Sequence, residues 1–63
     1  MQITLKAARV NAGLTIADAS KRLGIGKDTL MKLEKQPQLC TVVMQEKISQ
    51  AYDMPIDYIF FGL

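Results

Sequence analysis

TIADASKRLGIGKDTLMKLEK, residues Thr15 to Lys35, holds two short helical patterns separated by a sharp break. In the first pattern Ile16, Ala19, Ser20 and Leu23 recur at helical spacing and form an inward stripe with one polar member. Thr15 stands where a capping hydroxyl belongs, and Asp18 follows as a shorter stand-in for the Glu or Gln of a capping box. An acid there also suits the positive helix end. Gly24 comes directly after Leu23, where a left-handed stop is needed. The break Gly24-Ile25-Gly26 leaves room only to turn the chain. A second helix is predicted over about Lys27 to Lys35, with Leu30 and Leu33 inward and Asp28, Met31, Lys32 and Lys35 on its outer face.

Two short helices joined by a glycine-containing turn of about three or four residues make a helix-turn-helix. Its requirements are physical. Small residues must sit where the helices cross, and Ala19 and Ser20 supply them. The turn needs a residue that accepts positive φ, which Gly24 does. Ile25, Leu30 and Leu33 anchor the turn and the second helix to a core. An ordinary helical hairpin meets some of these conditions by chance; meeting all in one short window is far more specific.

Outward from this unit, Leu5, Ala8 and Ala12 mark a first helix over Thr4 to Ala12 that stops at Gly13. Gln36 to Cys40 is a loop containing Pro37. Thr41 caps a fourth helix through Tyr52, with Val42, Ile48, Ala51 and Tyr52 inward and Gln45 interrupting the stripe. Pro55 opens a last short helix carrying Ile56, Ile59 and Phe60. No strand alternation or internal repeat is visible. The expected fold is all-α: five short helices in one compact domain, residues 1–63, with the helix-turn-helix at about 15–35.

A chain of 63 residues is near the lower limit for a domain held by one core. With one cysteine and no histidine, neither an internal disulfide nor a usual zinc site can form, so the fold must rest on packing. A hydrophobic fraction of 49% allows that. No segment has the pattern of a signal peptide or a membrane span, and the lone thiol Cys40 fits a reducing cytoplasm. No nucleophile–base pair or phosphate-cradling glycine loop is present, so neither enzyme activity nor a cofactor or metal is expected, and Cys40 reads as a free structural thiol. Five of the eight basic residues (Lys21, Arg22, Lys27, Lys32, Lys35) fall within residues 21–35, opposed there only by Asp28 and Glu34. That stripe fits a polyanion partner, or equally a solvated face.

LKAARVNAGLTIADASKRLGIGKDTLMKLEK, followed by Ile48-Ser49-Gln50-Ala51-Tyr52 and MPIDYIFFG, resembles the phage repressor family of helix-turn-helix proteins, the Cro and C1 repressor type. The match is carried by Arg9, Gly13-Leu14-Thr15, Leu23-Gly24-Ile25, Leu33-Glu34 and Pro55-Ile56-Asp57-Tyr58 with Gly62. The resemblance implies a compact five-helix, lambda-repressor-like domain that reads double-stranded DNA with the helix 27–35 in the major groove. It also implies an ion pair between Arg9 and Glu34 that locks the first helix to the third. Base contacts would come from Lys27, Asp28 and Lys32, with Met31 beside them. Lysines can donate to guanine, aspartate can accept from cytosine, and methionine can touch a thymine methyl, which points to a G·C-containing half-site. Lys27 and Lys32 can instead contact phosphates, and Asp28 can simply favour the helix N-terminus. Phosphate contacts are expected from Thr15, Thr29, Lys35, Gln36 and Gln38.

Three positions depart from the family pattern. Ile16 stands where a phosphate-binding glutamine is usual, Gly26 replaces a capping hydroxyl, and the loop after Lys35 carries few further cations. Weak binding by a monomer follows, which dimerisation on a two-fold operator would offset. The apolar end of the chain suits that role: Ile56, Ile59 and Phe60 are expected inside, leaving Tyr58, Phe61 and Leu63 as a patch for a homodimer, or folded back over the core. The leading expectation is a cytoplasmic, Cro-like repressor of phage or prophage type. The rival is a protein-interaction module on the same fold, antitoxin-like or antirepressor-like.

Overall fold

A computed structural model describes residues 1–62. The chain forms α1 (Leu5–Asn11), α2 (Ile16–Leu23), α3 (Lys27–Lys35) and α4 (Val42–Ala51), with single 3₁₀ turns at Pro37–Leu39 and Ile56–Tyr58. Each boundary has a local cause. The hydroxyls of Thr4 and Thr41 accept the N–H groups of Ala7 and Met44, each at 3.1 Å, and so start α1 and α4. At α2 the capping box is complete: Thr15 Oγ1 accepts from Asp18 N–H at 3.1 Å, and Asp18 Oδ2 accepts from Thr15 N–H at 3.4 Å. Gly24 ends α2 in the left-handed region at φ 70°, where a side chain would be strained.

The core draws on every helix. Leu5, Ala8, Leu14, Ala19, Leu23, Leu30, Leu33, Cys40, Ile48, Tyr52 and Ile59 are buried, with Ile16, Ile25, Met44, Ala51 and Phe61 among the half-buried residues around them. α2 and α3 pack on each other, α2 also packs on α4, and α1 rests on α3. This arrangement holds α3 from behind and leaves its outer side open. Cys40, in the loop before α4, is a free buried thiol, and burial pushes its pKa up.

Three expectations fail, each for a physical reason. Val42 does not face inward; it is 68% exposed, because the inward stripe of α4 runs Met44, Ile48, Ala51 and Tyr52. The fifth helix is a single 3₁₀ turn. Beyond it the chain is extended: Ile59 makes a parallel bridge to Ile3, with Ile3 N–H donating to Tyr58 O and Phe60 N–H to Ile3 O, both at 2.8 Å. Extended backbone alternates its side chains, so Ile59 is buried, Phe60 turns out and Phe61 turns back. Phe60 is 41% exposed, and Phe61, expected in the outer patch, packs against the core. Leu63, also assigned to that patch, lies outside the described residues.

Candidate nucleic-acid interface

Arg9 organises the inner side of α3. Its Nε donates to Glu34 Oε2 at 2.7 Å and its Nη2 to Glu34 Oε1 at 3.5 Å. Its Nη1 donates to the carbonyl of Leu14 at 3.0 Å. One guanidinium thus ties α1 to the end of α3 and to the segment that leads into α2. The two side chains are 9% and 10% exposed, so neither is offered to a partner. Burial at that level makes the fork geometry of arginine valuable, because a lone charge there would be costly.

The outer side is the reverse. Lys27, Asp28, Thr29, Lys32 and Lys35 are all exposed, and Met31 is 46% exposed. Among the described residues Arg9–Glu34 is the one ion pair, so the lysines of α3 keep their charge free for a partner. Asp28, Met31, Lys32, Lys35 and Gln36 line one shallow depression along this face. Gly26 starts the helix with extended backbone and no side-chain hydrogen bond, so the first turn of α3 is capped by nothing from its own chain.

A family model described as Helix-turn-helix matches residues 5–59. The chain belongs to that helix-turn-helix family. It is the Cro and C1 repressor type, a family of DNA-binding regulators rather than of enzymes. No curated protein and no solved structure matches the chain.

Within the helix-turn-helix the remaining candidate residues divide by place. Thr15 is exposed at the start of α2; its oxygen accepts within the capping box while its hydroxyl hydrogen stays free to donate. Thr29 sits in the first turn of α3, on the side of Gly26. Gln36 lines that depression beside Lys32 and Lys35, and Gln38 shares a second hollow with Lys35, Pro37 and Phe60. Gln38 is exposed and also lies against Gly62, where an added Cβ would come within 2.8 Å of the Gln38 Cβ.

Two residues outside the set expected from the sequence border this face. Lys6 and Ile16 share a depression with Met31 and Lys35, above the Arg9–Glu34 pair. Lys6 precedes Arg9 by one helical turn, a spacing that could have placed it on the α3 side of α1. Among the described residues no helix is long and apolar enough to cross a membrane, and no cluster could hold a metal ion.

Proposed function

We propose that the protein is a repressor that binds a two-fold operator as a homodimer and occludes a promoter. The observation that carries this reading is the division of α3. Its inner side is anchored by Leu30, Leu33 and the Arg9–Glu34 pair, while its outer side presents unpaired lysines and no competing contact. A helix held so rigidly can enter a major groove with little loss of order on binding. Lys27, Asp28, Met31 and Lys32 would then read base edges, and Thr15, Thr29, Lys35 and Gln36 would meet phosphates. Gln38, exposed beside Lys35, would join them.

Tyr58 and Phe60, 58% and 41% exposed, are the apolar groups of the C-terminal segment that remain for a dimer contact. Tyr58 was expected there; Phe60 takes the place of Phe61, which packs against the core. A half-site containing G·C pairs follows from the lysines and Asp28. Selection of bound sites from random DNA tests all of this together: two-fold related sites with at least one G·C pair in each half are expected. Sites without symmetry would remove the dimer, and purely A·T half-sites would remove the proposed readout.

The rival, a protein-interaction module, draws support from Ile16 in place of a phosphate ligand and from exposed Val42 and Val43. Anisotropy titrations at two salt concentrations separate the readings. Saturable binding that weakens steeply with salt supports the repressor. Absence of binding at low salt supports the module instead.

A further inference from the structure

We propose that Ile16 and Met31 form an apolar notch that recognises the C5 methyl group of a pyrimidine in bound DNA. The inference rests on the DNA-binding reading above and deepens it: Ile16, which that reading leaves without a role, joins Met31 in covering the methyl group.

The notch is built from three helices. Ile16, at the first position of α2, is half-buried against the core, and Met31 faces it from the outer side of α3. Arg9 and Glu34 lie beneath them, and Lys6 and Lys35 stand exposed around them. The Nε, Nη1 and Nη2 of Arg9 donate to Glu34 and the Leu14 carbonyl, and both Glu34 oxygens accept from Arg9. The floor therefore has its strongest donors and acceptors committed inward, and a polar base edge would find little to bond there. What the depression offers is two apolar walls below two cations.

The C5 methyl of a pyrimidine has the matching character. It is the one apolar group that a base presents in the major groove. It projects on the side of the base edge nearest its own sugar–phosphate strand, so a side chain that covers it sits close to phosphates. Lys6 and Lys35 are placed to meet those phosphates while Ile16 and Met31 cover the methyl. Methionine suits the task because its unbranched side chain adapts to an irregular apolar contact. A glutamine at residue 16 would bond a phosphate directly; the isoleucine gives up that bond and supplies methyl-sized apolar surface instead.

Thymine and 5-methylcytosine carry the same group, and two substitutions in a selected duplex tell them apart. In the first arm each half-site thymine is replaced singly by uracil, which removes the methyl and nothing else. In the second, each cytosine is replaced by 5-methylcytosine. Burial of one methyl group predicts about a fourfold change in affinity, as a loss in the first arm for a thymine reader or a gain in the second for a methylcytosine reader. In Met31→Ala, whose exposed side chain makes the fold insensitive to its loss, the methyl effect should vanish while salt-dependent binding persists. The inference is overturned if no position in either arm shifts affinity more than about twofold, or if Met31→Ala keeps the full effect. Absence of any salt-sensitive DNA binding overturns the repressor reading and this inference with it; binding that ignores the methyl overturns the inference alone.

Discussion

Residues 15–35 and residues 56–62 both send apolar side chains into the core, but these reach their places by different physics. In the first segment every placement is settled within a turn or two of chain. A capping box starts α2, Gly24 at φ 70° ends it, and helical spacing sends Ala19, Leu23, Leu30 and Leu33 inward. In the second segment placement is settled by Ile3, at the other end of the chain, whose backbone pairs with Tyr58 and Phe60. Local rules read the first segment correctly; in the second they place Tyr58 and Ile59 but exchange Phe60 with Phe61. The helix-turn-helix is therefore locally specified, while its support is closed by a long-range contact.

The largest test strikes the group that joins the DNA-facing unit to the rest. Arg9→Ala or Glu34→Ala leaves the other charge buried and unpaired, which costs about 3 to 5 kcal/mol. Total stability of a small domain is about 5 to 15 kcal/mol, so either variant should be largely or wholly unfolded at modest urea. Urea titrations followed by helical circular dichroism check this. A loss below about 1 kcal/mol would mean that the pair is solvated like a surface bridge.

Neighbouring residues of the C-terminal segment give the next test. Ile59→Ala removes a fully buried side chain and should cost about 2 to 5 kcal/mol. Phe60→Ala, despite the larger side chain, should cost about 1 kcal/mol or less, since surface positions tolerate change. Equal losses would restore the helical register in which Phe60 faces inward and would break the contrast between the two segments.

That contrast also explains what could be read from the residues alone. The positions of α1 to α4, their caps and most of the core follow from spacing and hydroxyl placement, because helices are built from near neighbours. The turn of chain at Ile56–Phe61 does not, because apolar spacing at Ile56, Ile59 and Phe60 fits a helix as well as the extended run that Ile3 selects. The exposed set on α3 was legible from the same periodicity. Its neighbour Lys6 was not, since only the packing of α1 on α3 brings it near Met31.

Tyr52 offers a test of intermediate size. Its ring was legible as core, but its hydroxyl is buried with no hydrogen-bond partner. Tyr52→Phe should therefore raise stability, by about 1 kcal/mol. Burial first, and then the Glu34 carboxylate, push the phenol pKa up from 10.0 to about 12. The unfolded chain thus releases this proton earlier than the folded one. Stability from this group is fully present below pH 10.0 and falls as the pH rises towards about 12. Urea midpoints on either side of that window should show a steeper alkaline decline in the native protein than in Tyr52→Phe. Identical declines would show that Tyr52 is not the residue responsible.

The smallest expected effect compares two helix starts inside the locally specified unit. Thr15 closes the start of α2 with its hydroxyl, so Thr15→Ala should cost about 1 kcal/mol. Gly26 leaves the start of α3 without a side-chain cap. Its φ of −73° and ψ of 157° suit any residue, and an added Cβ would meet nothing nearer than Thr29 Oγ1 at 4.0 Å. Gly26→Ser should therefore fit without strain, cap α3 and add a few tenths of a kcal/mol. A difference that small is best measured as the offset between paired urea midpoints, with the slope of each transition unchanged. A loss of stability would mean that glycine is held at residue 26 by a constraint other than backbone angle or space, such as close approach of a bound strand. In that case DNA affinity should fall as well, whereas the open geometry predicts that it is kept.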